Sequence, residues 1–267
     1  VALGYNAYSI MQTGRDEYGE FLPIILRSFD DYKPALYAYL IIPFIKLLDL
    51  TVFAVRLPSA IFGILTIVGV FFLVKELSRK NSIALLPSFL LGISPWHIQF
   101  SRIAFESNVG LAFNVFAALF FLWGLRRPWM LLLSALSMGM NLYVYQSEKV
   151  FTPLLLIALV IFFRKELFLL PKKYIIMAGV LGLLISLPIT HYTFTNREAL
   201  SRAKDVSILA NAAPFLQENV QRIIKDRERH DYLGLVLDNR RITYLKTITS
   251  SYLSHFDLNW LFIKGDI

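Results

Sequence analysis

Side chains that could do chemistry are gathered in two short polar stretches of an otherwise apolar chain. The first stretch covers residues 5–33, and the second, with the sequence SRIAFESN, covers residues 101–108. Charges placed against a bilayer are energetically costly, so those that occur there are candidates for function. The charged members of the two stretches include Asp16, Glu17, Asp30, Asp31, Lys33, Arg102 and Glu106.

Four carboxylates are candidate catalytic groups: Glu106, Asp31, Asp16 and Glu17. A carboxylate beside a membrane-level cavity can take the proton of an acceptor hydroxyl, or hold a divalent cation against a phosphate. Glu106 follows Arg102 by four residues, so on a continuous helix the two side chains share one face. A structural Arg–Glu ion pair accounts for this spacing equally well, and carboxylates in an exposed loop are usually only solvated charge.

The candidate substrate-binding residues are Lys33, Arg102, Lys149 and Tyr5. The three cations are predicted at a membrane boundary, where a lipid-linked phosphate needs cationic partners, and Arg grips phosphate through two parallel hydrogen bonds. The alternative is that they are interfacial anchors whose charged ends reach into water. For Lys149 that alternative is the better interpretation.

The composition is that of a polytopic membrane protein. The 267 residues are 56% hydrophobic, with a mean hydropathy of +0.56, whereas soluble domains reach about 45–50% even when Gly is counted. The net charge of +8 does not indicate nucleic-acid binding, because Lys and Arg cluster in short loops between apolar segments. The chain has no Cys, and it has no P-loop, Rossmann glycine pattern, HExxH motif or nucleophile elbow.

Six apolar segments are predicted to cross a membrane, namely residues 57–74, 82–95, 109–125, 129–145, 150–163 and 174–190. The loops at 75–80, 126–127 and 164–173 are rich in Lys and Arg, and they alternate with loops that are not. The positive-inside rule places the basic loops in the cytoplasm. The SRIAFESN stretch, the YQSEK loop at 145–149 and the region 191–267 are then extracytoplasmic.

Residues 34–45 decide whether the two polar stretches share one side. This segment is apolar, but a helix of about 12 residues reaches only about 18 Å, and a span needs roughly 20 residues. We interpret it as a helix embedded in the outer leaflet, which leaves residues 1–33 outside; a short tilted span would put them in the cytoplasm. Residues 1–29 are predicted to be an interfacial helical segment with a stop at Gly14, and 191–267 a surface segment with helical patterns at 216–224 and 244–262.

The order of DYKPALYAYL, AVRLPSAIFG, a basic turn and SPWHIQFSRIAFESN resembles the polytopic glycosyltransferases that include protein O-mannosyltransferases and the lipid A aminoarabinose transferase. The resemblance covers about residues 1–190 and implies the GT-C fold, an all-α, polytopic transmembrane helical bundle with juxtamembrane helices within residues 1–50 on the extracytoplasmic face. It also implies a sugar donor carried on polyprenyl phosphate. On this comparison the chain is a fragment, whose first spanning helix and an essential acidic motif would lie upstream of Val1.

The resemblance implies roles for particular residues. Lys33-Pro34 matches a Lys-Pro or His-Pro-Pro element that contacts the donor phosphate. Asp31 is displaced by one position from the family's acidic residue, because Tyr32 intervenes. Arg102 and Glu106 match a Ser-Arg element followed by an acidic residue, for which relatives more often carry Asp.

The sequence therefore predicts a glycosyltransferase, expected in a prokaryotic plasma membrane, that moves a sugar from a polyprenyl-phosphate donor to an unidentified protein, lipid or glycan acceptor. No cofactor is certain, a divalent metal ion is a candidate, and membrane lipid but not nucleic acid is a partner. Two alternatives stay open. A transporter or flippase for lipid-linked glycans would need polar groups at mid-membrane depth, whereas segments 57–74 and 109–125 carry no charge. A structural subunit would leave the clustered charges without a role.

Overall fold

The structure is a computed structural model that describes residues 2–28, 31–196 and 213–259. The chain forms two compact units, residues 1–196 and residues 197–267, and each is described by itself. The larger unit contains the predicted spans and both polar stretches. The prediction of an all-α, polytopic helical protein is confirmed, because helices account for most of the described residues.

The larger unit consists of ten described helices and one small hairpin. The helices are α1 (Ala2–Thr13), α2 (Leu36–Leu48), α3 (Val52–Ser78), α4 (Asn81–Ile93), α5 (Pro95–Arg102), α6 (Glu106–Gly124), α7 (Met130–Asn141), α8 (Glu148–Phe162), α9 (Arg164–Phe168) and α10 (Lys172–Thr195). The hairpin pairs β1 (Ile25–Ser28) with β2 (Asp31–Pro34) in antiparallel register. The hairpin was not predicted.

In the part of the chain that the structure describes, three helices are long and apolar enough to cross a membrane: α3, α6 and α10. The pair α4 and α5 becomes a fourth crossing if it is one span bent by 58°. The bend lies at Ser94, where the backbone is extended and Pro95 begins the next helix. The predicted segments 57–74, 109–125 and 174–190 are thus confirmed as candidate spans.

Helices α7 and α8 are shorter than a typical span. Helix α7 has 12 residues and α8 has 15, which corresponds to about 18 and 22 Å against a hydrocarbon core of about 30 Å. The predicted segment 129–145 was therefore too long. Its last residues form turns rather than helix, with Tyr143 donating to Met140 and Val144 to Asn141 through their backbone N–H groups.

Two hydrophobic clusters lie at opposite ends of the larger unit. One joins α1, β1, α2, the starts of α3 and α6, and the turn at Val144. The other joins the ends of α3 and α6 to α7, α9 and α10 around Leu167. We call the first the site end, since it contains residues 2–28, 31–33, 101–108 and 143–149. We call the second the basic end, since it contains the loops 75–80, 126–127 and 164–173.

Helix α2 does not run along α3 as an antiparallel span. The hydroxyl of Tyr37, in the first turn of α2, donates to the backbone oxygen of Val55, in the first turn of α3, at 3.1 Å. An antiparallel helix of this length would put the start of α2 about 20 Å along α3, beside its middle. With 13 residues, α2 is also too short for an upright crossing. Both observations favour the interpretation of residues 34–45 as a helix embedded in one leaflet.

The loop that follows α1 is compact. Helix α1 ends where predicted, because Gly14 adopts a φ of +72°, a conformation that favours glycine. The chain then folds back, with the N–H of Leu22 donating to the oxygen of Gly14 at 2.9 Å and an isolated bridge between Arg15 and Phe21. Residues 14–22 are therefore a closed loop that carries the first two acidic candidates.

The smaller unit is helical where it is described. Its helices are α11 (Ala213–Glu228), α12 (Tyr232–Leu237) and α13 (Arg240–Ser254). Asn219 joins them, because its side-chain amide donates to the backbone oxygen of Asp238 at 2.6 Å and to the hydroxyl of Thr243 at 2.8 Å. The predicted helical pattern at 216–224 lies within α11, whereas the last residues of the pattern at 244–262 fall outside the described part.

Candidate active site

Three separate parts of the chain meet at the site end. The side-chain amide of Gln146 donates to the backbone oxygen of Tyr32 at 2.6 Å, and the N–H of Leu36 donates to the oxygen of Tyr143 at 3.0 Å. These bonds hold the hairpin that carries Lys33 against the turn that precedes α8. Val109 and Val144 share one core with Tyr37, which brings the start of α6 to the same place.

A row of aromatic rings connects the second polar stretch to that turn. Trp96 lies 5.3 Å from Phe100, Phe100 stacks on Phe105 at 4.7 Å, and Phe105 lies 6.2 Å from Tyr145, all between ring centroids. Such pairs prefer offset or tilted arrangements and add about 0.5–1.5 kcal/mol each beyond their burial. The row fixes the break between α5 and α6 relative to the turn at 143–147.

Arg102 and Glu106 do not share a helix, so the prediction that one helical turn places both on one face is wrong. Arg102 is the last residue of α5 and Glu106 the first of α6, and the backbone is extended at Ile103 and Phe105 between them. The two side chains form no ion pair within 4.0 Å. Arg102 is exposed, whereas Glu106 is buried. The alternative of a structural ion pair is therefore also wrong.

Glu106 is the most enclosed of the three candidate carboxylates whose side chains are described. It is 4% exposed, and its Oε1 has no hydrogen-bond donor among the described residues. Its position at the start of α6 favours the negative charge through the helix dipole. Burial raises the pKa of the Tyr37 hydroxyl, and the nearby charge of Glu106 raises that pKa further. A buried acceptor without a donor costs about 1–3 kcal/mol, so the Oε1 of Glu106 is available to a donor from outside the described residues.

Hydrogen bonds fix the surroundings of Glu106. The side-chain amide of Asn108 donates to the backbone oxygen of Ser59 at 2.9 Å, and the hydroxyl of Ser59 donates to the backbone oxygen of Phe100 at 2.9 Å. His97 is buried, with its Nε2 3.0 Å from the backbone oxygen of Gly63. These contacts lock α5 and the start of α6 onto α3.

Asp16 and Glu17 are engaged by their own loop. The Oδ1 of Asp16 accepts the N–H groups of Tyr18 and Glu20, both at 2.9 Å. The Oε1 of Glu17 accepts from the amide of Asn6 at 2.9 Å, and the N–H of Glu17 donates back to the Oδ1 of Asn6 at 3.1 Å. Both carboxylates thereby stabilise the closed loop. Burial raises the pKa of Tyr39 on α2, and the charge of Asp16 raises it further.

The remaining candidates of the first stretch lie on α1 and the hairpin. Lys33 is half-buried on β2, opposite Leu26 of β1. Asp31 begins β2 opposite Ser28, and its side chain falls outside the described part, as does the whole of Asp30. Tyr5 lies on α1 with 52% of its surface exposed.

Lys149 lies at one end of an apolar groove. The groove has a volume of about 680 Å³ and is formed by α7, α8 and α10. At the site end the ammonium of Lys149 donates to the hydroxyl of Thr193 at 3.2 Å. Lys149 precedes the apolar segment 150–163, and burial lowers its pKa to about 8. From Lys149 to Val160 the groove follows α8 for about 17 Å.

Sequence reasoning missed a polar cluster beside Lys149. The Oε2 of Glu148 accepts from the side-chain amides of Asn114 at 2.6 Å and Asn141 at 2.9 Å, and from the hydroxyl of Thr152 at 3.3 Å. All four residues are buried. Burial raises the pKa of Glu148, and the hydrogen bonds oppose that rise. The sequence feature that could have indicated this cluster is the presence of two Asn residues within predicted membrane spans.

No group of three or more His, Asp or Glu side chains is arranged to hold a metal ion within residues 2–28, 31–196 and 213–259. The divalent ion considered from the sequence stays a prediction. The three predicted substrate-binding cations, Arg102, Lys33 and Lys149, lie at the site end, where Arg15 and Arg27 of the first polar stretch also lie.

Comparison with known proteins identifies the family. The profile described as dolichyl-phosphate-mannose-protein mannosyltransferase matches residues 32–192, more than half of the chain. No characterised protein and no solved structure matched the chain in the two other comparisons. The matched region starts at β2 and runs through the groove helices to the end of α10. The chain therefore belongs to the dolichyl-phosphate-mannose-protein mannosyltransferase family and is an integral membrane glycosyltransferase of the GT-C type.

Proposed function

We propose that this protein transfers a sugar from a polyprenyl-phosphate donor to an acceptor at the site end, and that the site end faces the extracytoplasmic side of a prokaryotic plasma membrane. One observation carries the proposal. The hairpin with Lys33, the junction with Arg102 and Glu106, and the groove with Lys149 converge at one end of the helical unit. The basic loops collect at the other end, as the positive-inside rule expects of a cytoplasmic face.

The lipid part of the donor fits the groove between α7, α8 and α10. Its volume of about 680 Å³ is within the range of roughly 300–1,000 Å³ that ligand sites occupy. Lys149 is the one charged residue of its lining, and it lies at the site end. A polyprenyl chain in this groove would bring its phosphate to Lys149, with Lys33 and Arg102 as the further cations of the site.

Glu106 is the proposed general base. In the reaction, the oxygen or nitrogen of the acceptor forms a bond to the anomeric carbon, while the bond between that carbon and the phosphate oxygen breaks. The carboxylate of Glu106 takes the acceptor proton, and the cations stabilise the negative charge that grows on the departing phosphate. Asp16 and Glu17 hold the neighbouring loop in place, because their oxygens already accept hydrogen bonds within it.

The transporter or flippase alternative explains less of the structure. A pathway for a charged glycan would need polar groups along its length, whereas the groove is lined mainly by apolar side chains with its one charge at the site end. A reaction that takes place at one side of the membrane requires only that the lipid head group and the acceptor meet at the site end.

The test is turnover of lipid-linked donors by the full-length protein in proteoliposomes. Undecaprenyl-phosphate mannose, glucose and aminoarabinose would be supplied with mixed acceptors, and the release of free undecaprenyl phosphate would be measured. We expect release with at least one lipid-linked donor and none with the corresponding nucleotide sugars. Turnover of nucleotide sugars alone, or transbilayer movement of the intact donor without cleavage, would refute the proposal.

A further inference from the structure

Two consecutive residues at the start of α8 point into different surroundings. Glu148 is buried among α6, α7 and α8, where its carboxylate accepts three side-chain hydrogen bonds. Lys149 lines the groove between α7, α8 and α10 and donates to Thr193. The first turn of α8 is thus held on one side by the Glu148 cluster and presents Lys149 on the other.

The cluster ties the site-end parts of three helices together. Asn114 comes from α6, Asn141 from the last turn of α7, and Thr152 lies one turn after Glu148 on α8. The amide of Asn141 also donates to the Oδ1 of Asn114 at 2.9 Å and to the hydroxyl of Thr152 at 3.0 Å. The Oδ1 of Asn141 has no hydrogen-bond partner among the described residues, but the remaining bonds link α6, α7 and α8 in one geometry.

The backbone of α6 is shaped for the carboxylate. Gly110 faces Glu148 so closely that a Cβ at this position would come within 2.9 Å of Oε1 and 3.2 Å of the carboxyl carbon. A side chain at residue 110 would therefore displace the carboxylate from its three donors. Gly110 and the two Asn residues together make a socket that fits the Glu148 side chain.

The socket holds a negative charge without a cationic partner. No ion pair within 4.0 Å joins Glu148 to a Lys, Arg or His in the described part of the chain. Burying a carboxylate costs free energy unless hydrogen bonds or a cationic partner compensate for its lost hydration. An apolar residue at this position would pack the three helices at a lower cost. Lys149, which directly follows Glu148 in sequence, is the one charged residue in the described lining of the groove.

We propose that Glu148 is a positioning residue, which through its socket of Asn114, Asn141, Thr152 and Gly110 fixes the first turn of α8 so that Lys149 meets the phosphate of the lipid donor. This inference rests on the proposed function, since it names a further residue of the same site. Glu148 itself touches neither donor nor acceptor.

The experiment measures the Kd of undecaprenyl phosphate for the purified full-length protein in nanodiscs. E148A removes the carboxylate, G110A displaces it, and T152V removes one donor while keeping the side-chain shape. We expect the Kd to rise on the order of tenfold to a hundredfold for E148A and G110A, and less for T152V. E148Q keeps an acceptor in the socket and should stay within about threefold of wild type.

A double-mutant cycle separates positioning from general packing. If Glu148 acts through Lys149, then E148A should have little further effect on the Kd once K149A is present. The control is G92A on α4, where a Cβ would meet only ordinary contacts at 3.6 Å or more, and it should bind as wild type does. Melting temperatures of all variants would be compared in the same nanodiscs.

The outcomes distinguish the inference from the proposed function. If wild type binds no undecaprenyl phosphate, the proposed function fails and the inference fails with it. If wild type binds but E148A and G110A have an unchanged Kd, only the inference is overturned. The same holds if E148A and K149A have additive effects. Should E148A not fold, T152V and G110A still decide the matter.

Discussion

The two ends of the helical unit differ in the burial and pairing of their charged side chains. At the basic end Arg126 pairs with Glu76 at 2.8 Å, and its guanidinium is half exposed. At the site end Asp16, Glu106 and Glu148 are all buried, and none forms an ion pair with another described residue. Surface ion pairs contribute little to stability, with a median of about 0–1 kcal/mol. We therefore attribute the Lys and Arg residues of the basic end to membrane topology and not to stability. Hydrogen bonds within the protein stabilise the buried carboxylates of Asp16 and Glu148, whereas the Oε1 of Glu106 has no donor among the described residues.

The largest contrast is expected from Glu106. E106Q keeps the size of the side chain but removes the base, so kcat should fall on the order of 10³-fold while the KM for the lipid donor stays nearly constant. The matched variant at the other end, E76Q, breaks only the ion pair with Arg126 and should leave kcat within about twofold. Steady-state release of undecaprenyl phosphate measures both. Comparable losses in the two variants would erase the proposed distinction between the ends.

Arg102 should show the next largest effect. R102A removes the exposed guanidinium that we assign to the donor phosphate, and kcat/KM should fall on the order of 10²–10³-fold with an unchanged melting temperature. R126A is the control at the basic end, and we expect its kcat/KM to stay within about twofold. Full turnover by R102A would exclude a role of Arg102 in phosphate binding.

Asp16 allows a structural carboxylate of the site end to be compared with the proposed catalytic carboxylate, Glu106. D16A removes the acceptor of two backbone N–H groups, and the free energy of unfolding should fall by about 1–2 kcal/mol. D16N retains an acceptor oxygen, so both its stability and its kcat should stay close to wild type. Thermal unfolding and kcat would be measured side by side. A stable D16N variant without activity would instead make Asp16 the catalytic base.

Lys149 gives the smallest expected effect, a pH dependence. Its pKa is lowered to about 8 by burial, so the free protein loses the ammonium as the pH rises through that value. The kcat/KM for the lipid donor should therefore decline above pH 8, by at most about tenfold between pH 7 and 9. K149R stays charged over this range and should remove the decline. A profile that is identical in K149R would assign the titration to another group.

Much of the fold follows from local patterns. Long apolar segments become helices α3, α6 and α10, and Gly14 ends α1 because of its conformational freedom. The short length of residues 34–45 was enough to question a crossing, and the contact between Tyr37 and Val55 agrees with that interpretation. These features depend on composition and length, which one sequence displays.

The details of the site depend on contacts between distant residues. Nothing between Arg102 and Glu106 is Pro or Gly, so the break there was not visible. It is set by Ser59, which is far from it in sequence and forms hydrogen bonds with Phe100 before the break and Asn108 after it. The socket of Glu148 forms only when α6, α7 and α8 pack in the correct register relative to one another. The hairpin has only four residues in each strand, too few for alternation to indicate it.

The orientation of the two ends is the central claim, and thiol labelling tests it most directly. The chain has no Cys, so single variants Q12C and S147C at the exposed site end, and K80C at the exposed basic end, can be made in the full-length protein. Intact cells would be treated with a membrane-impermeant maleimide, with permeabilised cells as the control for reactivity. The account predicts labelling of Q12C and S147C but not of K80C. Labelling of K80C alone, or of only one of the two site-end positions, would contradict it.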